Sequence, residues 1–154
     1  MSNAPLLAKH PMLSRLELPH IERIAAAGEI EAWNPGEVVV ADGSFDEALY
    51  LVLTWRVSVV KNGHPLAQLG SGDFFGEMSL VEPAPRSATV IASEPSYLFR
   101  LPHNALRQLI SDAPDASNAL LIQIVRTLSE RLRRGNATIS SVGALADWLA
   151  GSMV

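Results

Sequence analysis

Apolar residues change their spacing twice along the chain, and the two changes mark out three zones. In the first, Ile21, Ile24 and Ala25 share one face of a short helix that starts at Leu18-Pro19 and stops at Gly28. Proline suits a first helical turn and glycine suits a helix end. In the second, residues 28–101, short runs of Val, Leu and Ile alternate with turn residues. The runs are 38–40, 49–53, 57–61, 66–69, 88–92 and 97–101. Asn62-Gly63 lies between two of them, and this dipeptide favours the positive φ angles of a two-residue hairpin. Seven or eight short strands with no helices between them predict an all-β sandwich or barrel. In the third zone, residues 104–110 read as a short helix, and residues 112–115 break the pattern and cap a longer one. Leu121, Val125, Leu128, Leu132, Gly135, Ile139, Val142, Ala146 and Leu149 then follow in alternating steps of four and three, a heptad seam. Gly135, Asn136, Thr138, Ser140, Ser141 and Gly143 are poor helix formers. Two outcomes fit: a helix that ends near Arg134 with a separate turn at 144–149, or one that reaches Leu149 over about 43 Å.

Composition narrows the field of functions. The 154 residues make one domain of ordinary size, with the strand zone at 28–101 and a C-terminal helical part at 103–150. Twelve basic against sixteen acidic residues give a formal charge of −4, against the usual balance of a nucleic-acid-binding surface. The absence of cysteine rules out disulfides, thiolate metal sites and a cysteine nucleophile, and fits a reducing cytoplasm. No apolar run is long enough for a membrane span, and Pro5-Leu6-Leu7-Ala8 is too short for a secretory signal. His10, His20, His64 and His103 are scattered and form no His-X-His pair, so no metal site is expected. No nucleophile–base pattern appears either, so the chain is not expected to be an enzyme.

The chemistry concentrates in residues 70–92. Gly72 and Gly76 bracket Asp73-Phe74-Phe75, and Glu77-Met78-Ser79-Leu80-Val81 is long enough for about one helical turn. Pro83 and Pro85 stop that turn, and Arg86-Ser87-Ala88 opens a strand. Glycine lets a ligand approach the backbone closely, and free N–H groups at the start of a turn favour an anion. Arg86 adds a planar guanidinium matched to phosphate oxygens. Glu77 would repel a phosphate, so its place is explained by a hydroxyl on the same ligand. Phosphate beside a hydroxyl points to a ribose phosphate.

Phe75-Gly76-Glu77-Met78-Ser79-Leu80 and Pro85-Arg86-Ser87-Ala88-Thr89-Val90, four residues apart, resemble the phosphate-binding cassette of cyclic nucleotide-binding domains. The likeness extends to Gly36, Gly43, Asp46, Leu49-Tyr50 and Val57, and covers about residues 11–134. It implies a mainly β fold with flanking helices: a double-stranded β-helix (jelly-roll) barrel with an N-terminal helical lead-in and a long C-terminal helix. It implies a sensor of cAMP or cGMP that needs no further cofactor and signals by moving that helix. The implied ligand-binding set is Phe75, Gly76, Glu77, Met78, Ser79, Arg86, Ser87 and Ala88. Within it, Glu77 takes the ribose 2′-hydroxyl, Arg86 takes the exocyclic phosphate oxygens, and Ser87 takes phosphate or a syn guanine. Arg131, Arg134, Asn136 and Thr138 are candidates for a lid over the base. The basic cluster Arg126, Arg131, Arg133 and Arg134 reads as a solvated face at the helix end. The heptad seam and the family's habit imply a homodimer through this helix, acting on an unidentified downstream protein.

Two departures stand out. Trp55 occupies a turn position where the family usually has glycine, and Ser44 stands where an acidic residue is common. The residues after Arg134 are too few for a helix-turn-helix module, so DNA binding by this chain is not expected. Two other readings use the same fold: a dimeric protein-interaction module with an unused pocket, and a shortened transcription regulator.

Overall fold

The computed structural model describes residues 2–81 and 84–137. Two short helices, α1 (Ala4–Leu7) and α2 (Leu18–Ala27), lead into eight strands. These are β1 (Glu29–Trp33), β2 (Val38–Val40), β3 (Ala48–Thr54), β4 (Arg56–Lys61), β5 (His64–Gly70), β6 (Phe74–Phe75), β7 (Thr89–Ala92) and β8 (Ser96–Pro102). The single turn α3 (Met78–Val81) separates β6 from β7. Helices α4 (His103–Asp112) and α5 (Pro114–Ala137) follow the last strand.

The strands form two antiparallel sheets of four, ordered β1-β8-β3-β6 and β2-β7-β4-β5. This is the two-sheet roll expected from the sequence, but open: among the described residues no strand pairing joins one sheet to the other. Strands β1 and β6 escape the sequence pattern. Glu29–Trp33 carries two glutamates in five residues and is held by register on β8, from Glu29 opposite Arg100 to Trp33 opposite Ser96. Phe74–Phe75 has only two residues, paired with Tyr50 and Leu51. Neither carries the run of Val, Leu and Ile by which the other strands are read.

Strand β3 explains how the layers stack. Alternate residues point to opposite faces. Leu49 and Leu51 join Phe74, Phe99 and Leu101 in a core shared with α2, α4 and α5. Ala48, Tyr50 and Val52 face the other way and pack with Val57, Val59, Phe75 and Val90 between the two sheets. Strand β3 is thus buried on both sides, which is why 49–53 reads as an unbroken apolar run.

The seam on α5 divides differently from its heptad reading. The buried positions among its described side chains are Ala116, Ser117, Leu120 and Ile124. Leu121 and Leu128 pack at the edge of the core, while Val125 and Leu132 are at least half exposed together with Ile122. A helix lying on a globular core buries a stripe about 100° wide instead of a narrow a/d seam. The helix continues past Arg134 to Ala137. Thr138, Ile139, Val142, Ala146 and Leu149 lie outside the described residues. No helix among the described residues is long and apolar enough to cross a membrane.

Two turns carry positive φ for different reasons. Asn62 (54°) and Gly63 (78°) make the tight hairpin that their sequence predicts. Trp55 joins β3 to β4 with φ 65°, so the turn keeps its left-handed residue although glycine is missing. A side chain there costs on the order of 1 kcal/mol relative to glycine. Trp55→Gly should therefore be more stable than Trp55→Ala by about 1 kcal/mol in urea unfolding. Both variants lose the indole, so equal midpoints would show that the turn relaxes without strain.

Candidate functional site

The site forms where β6 ends. After Phe75 the chain turns at Gly76 with φ 91°. A Cβ on this residue would overlap the Ala48 carbonyl oxygen and lie 3.1 Å from both terminal nitrogens of Arg86. Only glycine lets the backbone cross over the guanidinium here. Arg86 reaches this place from the loop before β7. Its N–H donates to the Ser44 carbonyl at 2.8 Å, and its own carbonyl accepts from the Gly43 N–H at 2.7 Å. These two bonds fasten the loop to the β2–β3 connection. Arg86 Nη2 donates to the Ala48 carbonyl at 2.8 Å.

Arg86 is 3% exposed. Burial lowers its pKa, and the negative ends of Asp46, Tyr50 and Glu77 oppose that shift. Behind it lies a closed polar network. Tyr50 donates to Asp46 Oδ2 at 2.7 Å, Arg100 Nη2 pairs with Asp46 Oδ1 at 3.1 Å, and Arg100 Nε donates to the Tyr50 hydroxyl at 3.2 Å. Burial, reinforced by Asp46, raises the Tyr50 pKa and keeps the phenol neutral.

Glu77 is the anomaly. It is 4% exposed, and among the described residues neither carboxylate oxygen has a hydrogen-bond partner. Burial pushes its pKa up to about 8, against the pull of its own backbone N–H, Arg131 and Arg86. An unpartnered buried carboxyl group costs free energy, and a hydroxyl donor from a ligand would relieve that cost.

The other expected residues fall into distinct places. The Phe75 ring stacks on Tyr50 at 4.8 Å between the sheets, so its side chain is core and only its backbone faces the turn. Met78 is half exposed. Ser79 Oγ donates back to the Gly76 carbonyl at 3.3 Å. Ser87 is half-buried, and Ala88 belongs to the inter-sheet core.

Of the four lid candidates, the structure brings Arg131 to the cassette. Its guanidinium lies 4.6 Å from the centroid of the Phe74 ring and 3.7 Å from the Asp73 carboxylate. Its side chain is 11% exposed, so it is not part of a solvated basic face. Arg134 is exposed. The Asn136 side chain and all of Thr138 lie outside the described residues. Sequence reasoning missed His103, whose ring is fully buried with Nε2 2.9 Å from the Gly76 carbonyl. A lone histidine at a helix start carries no signal that would single it out.

Residues 30–113, more than half of the chain, match the family model of the cyclic nucleotide-binding domain. Among curated proteins, the chain is 32% identical over 104 residues to a cAMP-dependent protein kinase regulatory subunit from Hypocrea atroviridis, covering 68% of this chain and 22% of that protein. It is 29% identical over 112 residues to a CRP-like cAMP-activated global transcriptional regulator of Mycobacterium tuberculosis, covering 70% and 48%. The chain thus spans less than half the length of these relatives. Among solved structures, a cyclic nucleotide-binding domain from Methylobacillus flagellatus superposes with a TM-score of 0.74 at 27% identity, covering 88% of this chain and 79% of that one. The catabolite activator protein of Thermus thermophilus gives 0.68 at 27% identity, covering 84% and 62%.

Proposed function

Because the chain belongs to the cyclic nucleotide-binding domain family, we propose that it is a sensor of cAMP or cGMP that works by binding alone, with no chemical step. The observation that carries this reading is the pairing of a buried guanidinium at Gly76 with a buried carboxyl group that has no partner among the described residues. In this reading Arg86 takes the exocyclic phosphate oxygens, as a planar donor fork suits them. Glu77 takes the ribose 2′-hydroxyl. Backbone N–H groups at residues 76–78 and 87–88 complete the cradle, with the Ser87 hydroxyl beside them. Both curated relatives carry cAMP in their names, which favours cAMP as the first ligand to test.

The output of the sensor is the position of α5. Arg131 already lies against Phe74 and Asp73, just ahead of the cassette. A nucleotide that sits beneath it changes what Arg131 contacts and so biases the helix. It can do so only by its difference in affinity for the two helix positions. The exposed stripe of Ile122, Val125 and Leu132 supports self-association through α5.

Calorimetric titration with cAMP and with cGMP tests the ligand, and light scattering with and without nucleotide tests the assembly. Saturable binding of at least one nucleotide and a dimer mass are expected, with Val125→Glu shifting the protein to monomer. A dimer that binds neither nucleotide would instead favour an interaction module with an unused pocket.

A further inference from the structure

Gly76 is held through its carbonyl group by a residue outside the cassette. The His103 ring nitrogen Nε2 lies 2.9 Å from the Gly76 carbonyl oxygen. A carbonyl only accepts, so Nε2 carries the hydrogen. In the neutral ring Nδ1 then carries the lone pair, and among the described residues it has no hydrogen-bond partner. The ring is fully buried, and the His103 backbone N–H donates to the Glu47 carbonyl at 2.9 Å. His103 is the first residue of α4 and follows Pro102, which pairs with Ala48. One residue therefore ties α4, the start of β3 and the cassette glycine together.

The Gly76–Glu77 peptide is trans, so its C=O and N–H point in opposite directions. Fixing the carbonyl on His103 therefore fixes the direction of the Glu77 N–H, which points the opposite way within the same plane. That N–H is the one near the Glu77 carboxyl group. Gly76 has no side chain to restrain it, and glycine samples more backbone conformations than any other residue. Ser79 Oγ gives the same carbonyl a second, longer bond at 3.3 Å, but from within the turn itself.

We propose that His103 is a positioning residue for nucleotide binding: its Nε2–H sets the Gly76–Glu77 peptide plane, and with it the aim of the Glu77 N–H and carboxyl group. The proposal rests on the function proposed above. The environment favours the required neutral ring. Burial lowers the His103 pKa, and Arg86 and Arg107 lower it further, against the Gly76 carbonyl and Glu47.

The test compares three side chains at this position. Gln places an amide donor where the imidazole Nε2 stands, Asn places it one bond short, and Leu fills the volume with no donor. His103→Leu and His103→Asn should bind cAMP roughly tenfold or more weakly, the effect of losing one buried hydrogen bond. His103→Gln should remain within about threefold of the parent. In the nucleotide-free protein, NMR should show amide exchange at Glu77 and Met78 quickened in His103→Leu and restored in His103→Gln. Equal affinity in all variants overturns the proposal. So does an equal loss in Gln and Leu, which would make the volume decisive and the donor irrelevant. If the parent binds neither cAMP nor cGMP, the functional reading has failed, and the amide exchange decides the role of His103 by itself.

Discussion

Arg86→Ala is expected to bind cAMP and cGMP about a hundredfold to a thousandfold more weakly than the parent. The guanidinium is 3% exposed and lies directly under the Gly76 backbone. A phosphate held there without a cation would keep its charge in a site shielded from water, where an unpaired charge is costly. Charge-assisted, two-pronged bonds are roughly twice as strong as neutral ones, and losing them costs several kcal/mol. The variant also removes the donor to the Ala48 carbonyl. Circular dichroism must therefore show a folded protein before the calorimetry is read. Arg86→Lys makes the result sharper: it keeps the charge but replaces the planar fork with a single nitrogen, which loses the two-pronged match to phosphate. Its affinity should fall between those of the parent and Arg86→Ala. Near-parental binding by a folded Arg86→Ala would remove Arg86 from the site.

Glu77→Gln should weaken nucleotide binding and yet stabilise the empty protein, by an amount that depends on pH. The folded-state pKa of Glu77 is pushed up to about 8 by burial. An unfolded glutamate titrates near 4.3. Between these values the folded chain keeps a proton that the unfolded chain has released. Stability of the parent therefore falls as pH rises through this window, and the loss is complete above pH 8. Glutamine has no such term. The stability gap in favour of the variant should grow by on the order of 3–4 kcal/mol between pH 5 and pH 8.5, read from urea unfolding. A gap of equal size at both pH values would show that Glu77 is solvated in the empty protein. Affinity should fall about tenfold to a hundredfold, because an amide oxygen accepts a hydroxyl less strongly than a carboxylate. A site that loses stability so as to hold a ligand group in readiness is a common trade.

The legible parts of the molecule were those with local causes. Asn62-Gly63 predicts its own hairpin because both φ angles are set within two residues. The cassette could be read because Gly76, Glu77 and Arg86 each bring a distinct chemistry at short range. Helix α4 began at His103, one residue ahead of its expected start, and α5 continued through Gly135 and Asn136 to Ala137. Helix ends are set by packing as much as by propensity, so such margins are expected. Trp55 shows the same balance in reverse. Its residue type opposes the turn, but the pairing of β4 with β5 and β7 imposes the turn regardless.

Sequence alone determined the strand-rich middle, the helical ends, the family resemblance and the candidate pair Glu77 and Arg86. Each of these is carried by a short pattern whose cause lies within a few residues. Only the tertiary structure decided that β3 is buried on both faces, that the Phe75 ring is core, and that Arg131 rests on Phe74 while Val125 and Leu132 face outward. It alone placed His103 against Gly76, across 27 residues of sequence. Contacts of that span depend on how the sheets and helices stack, and the spacing of residues along one element holds no record of what a distant element will bring beside it.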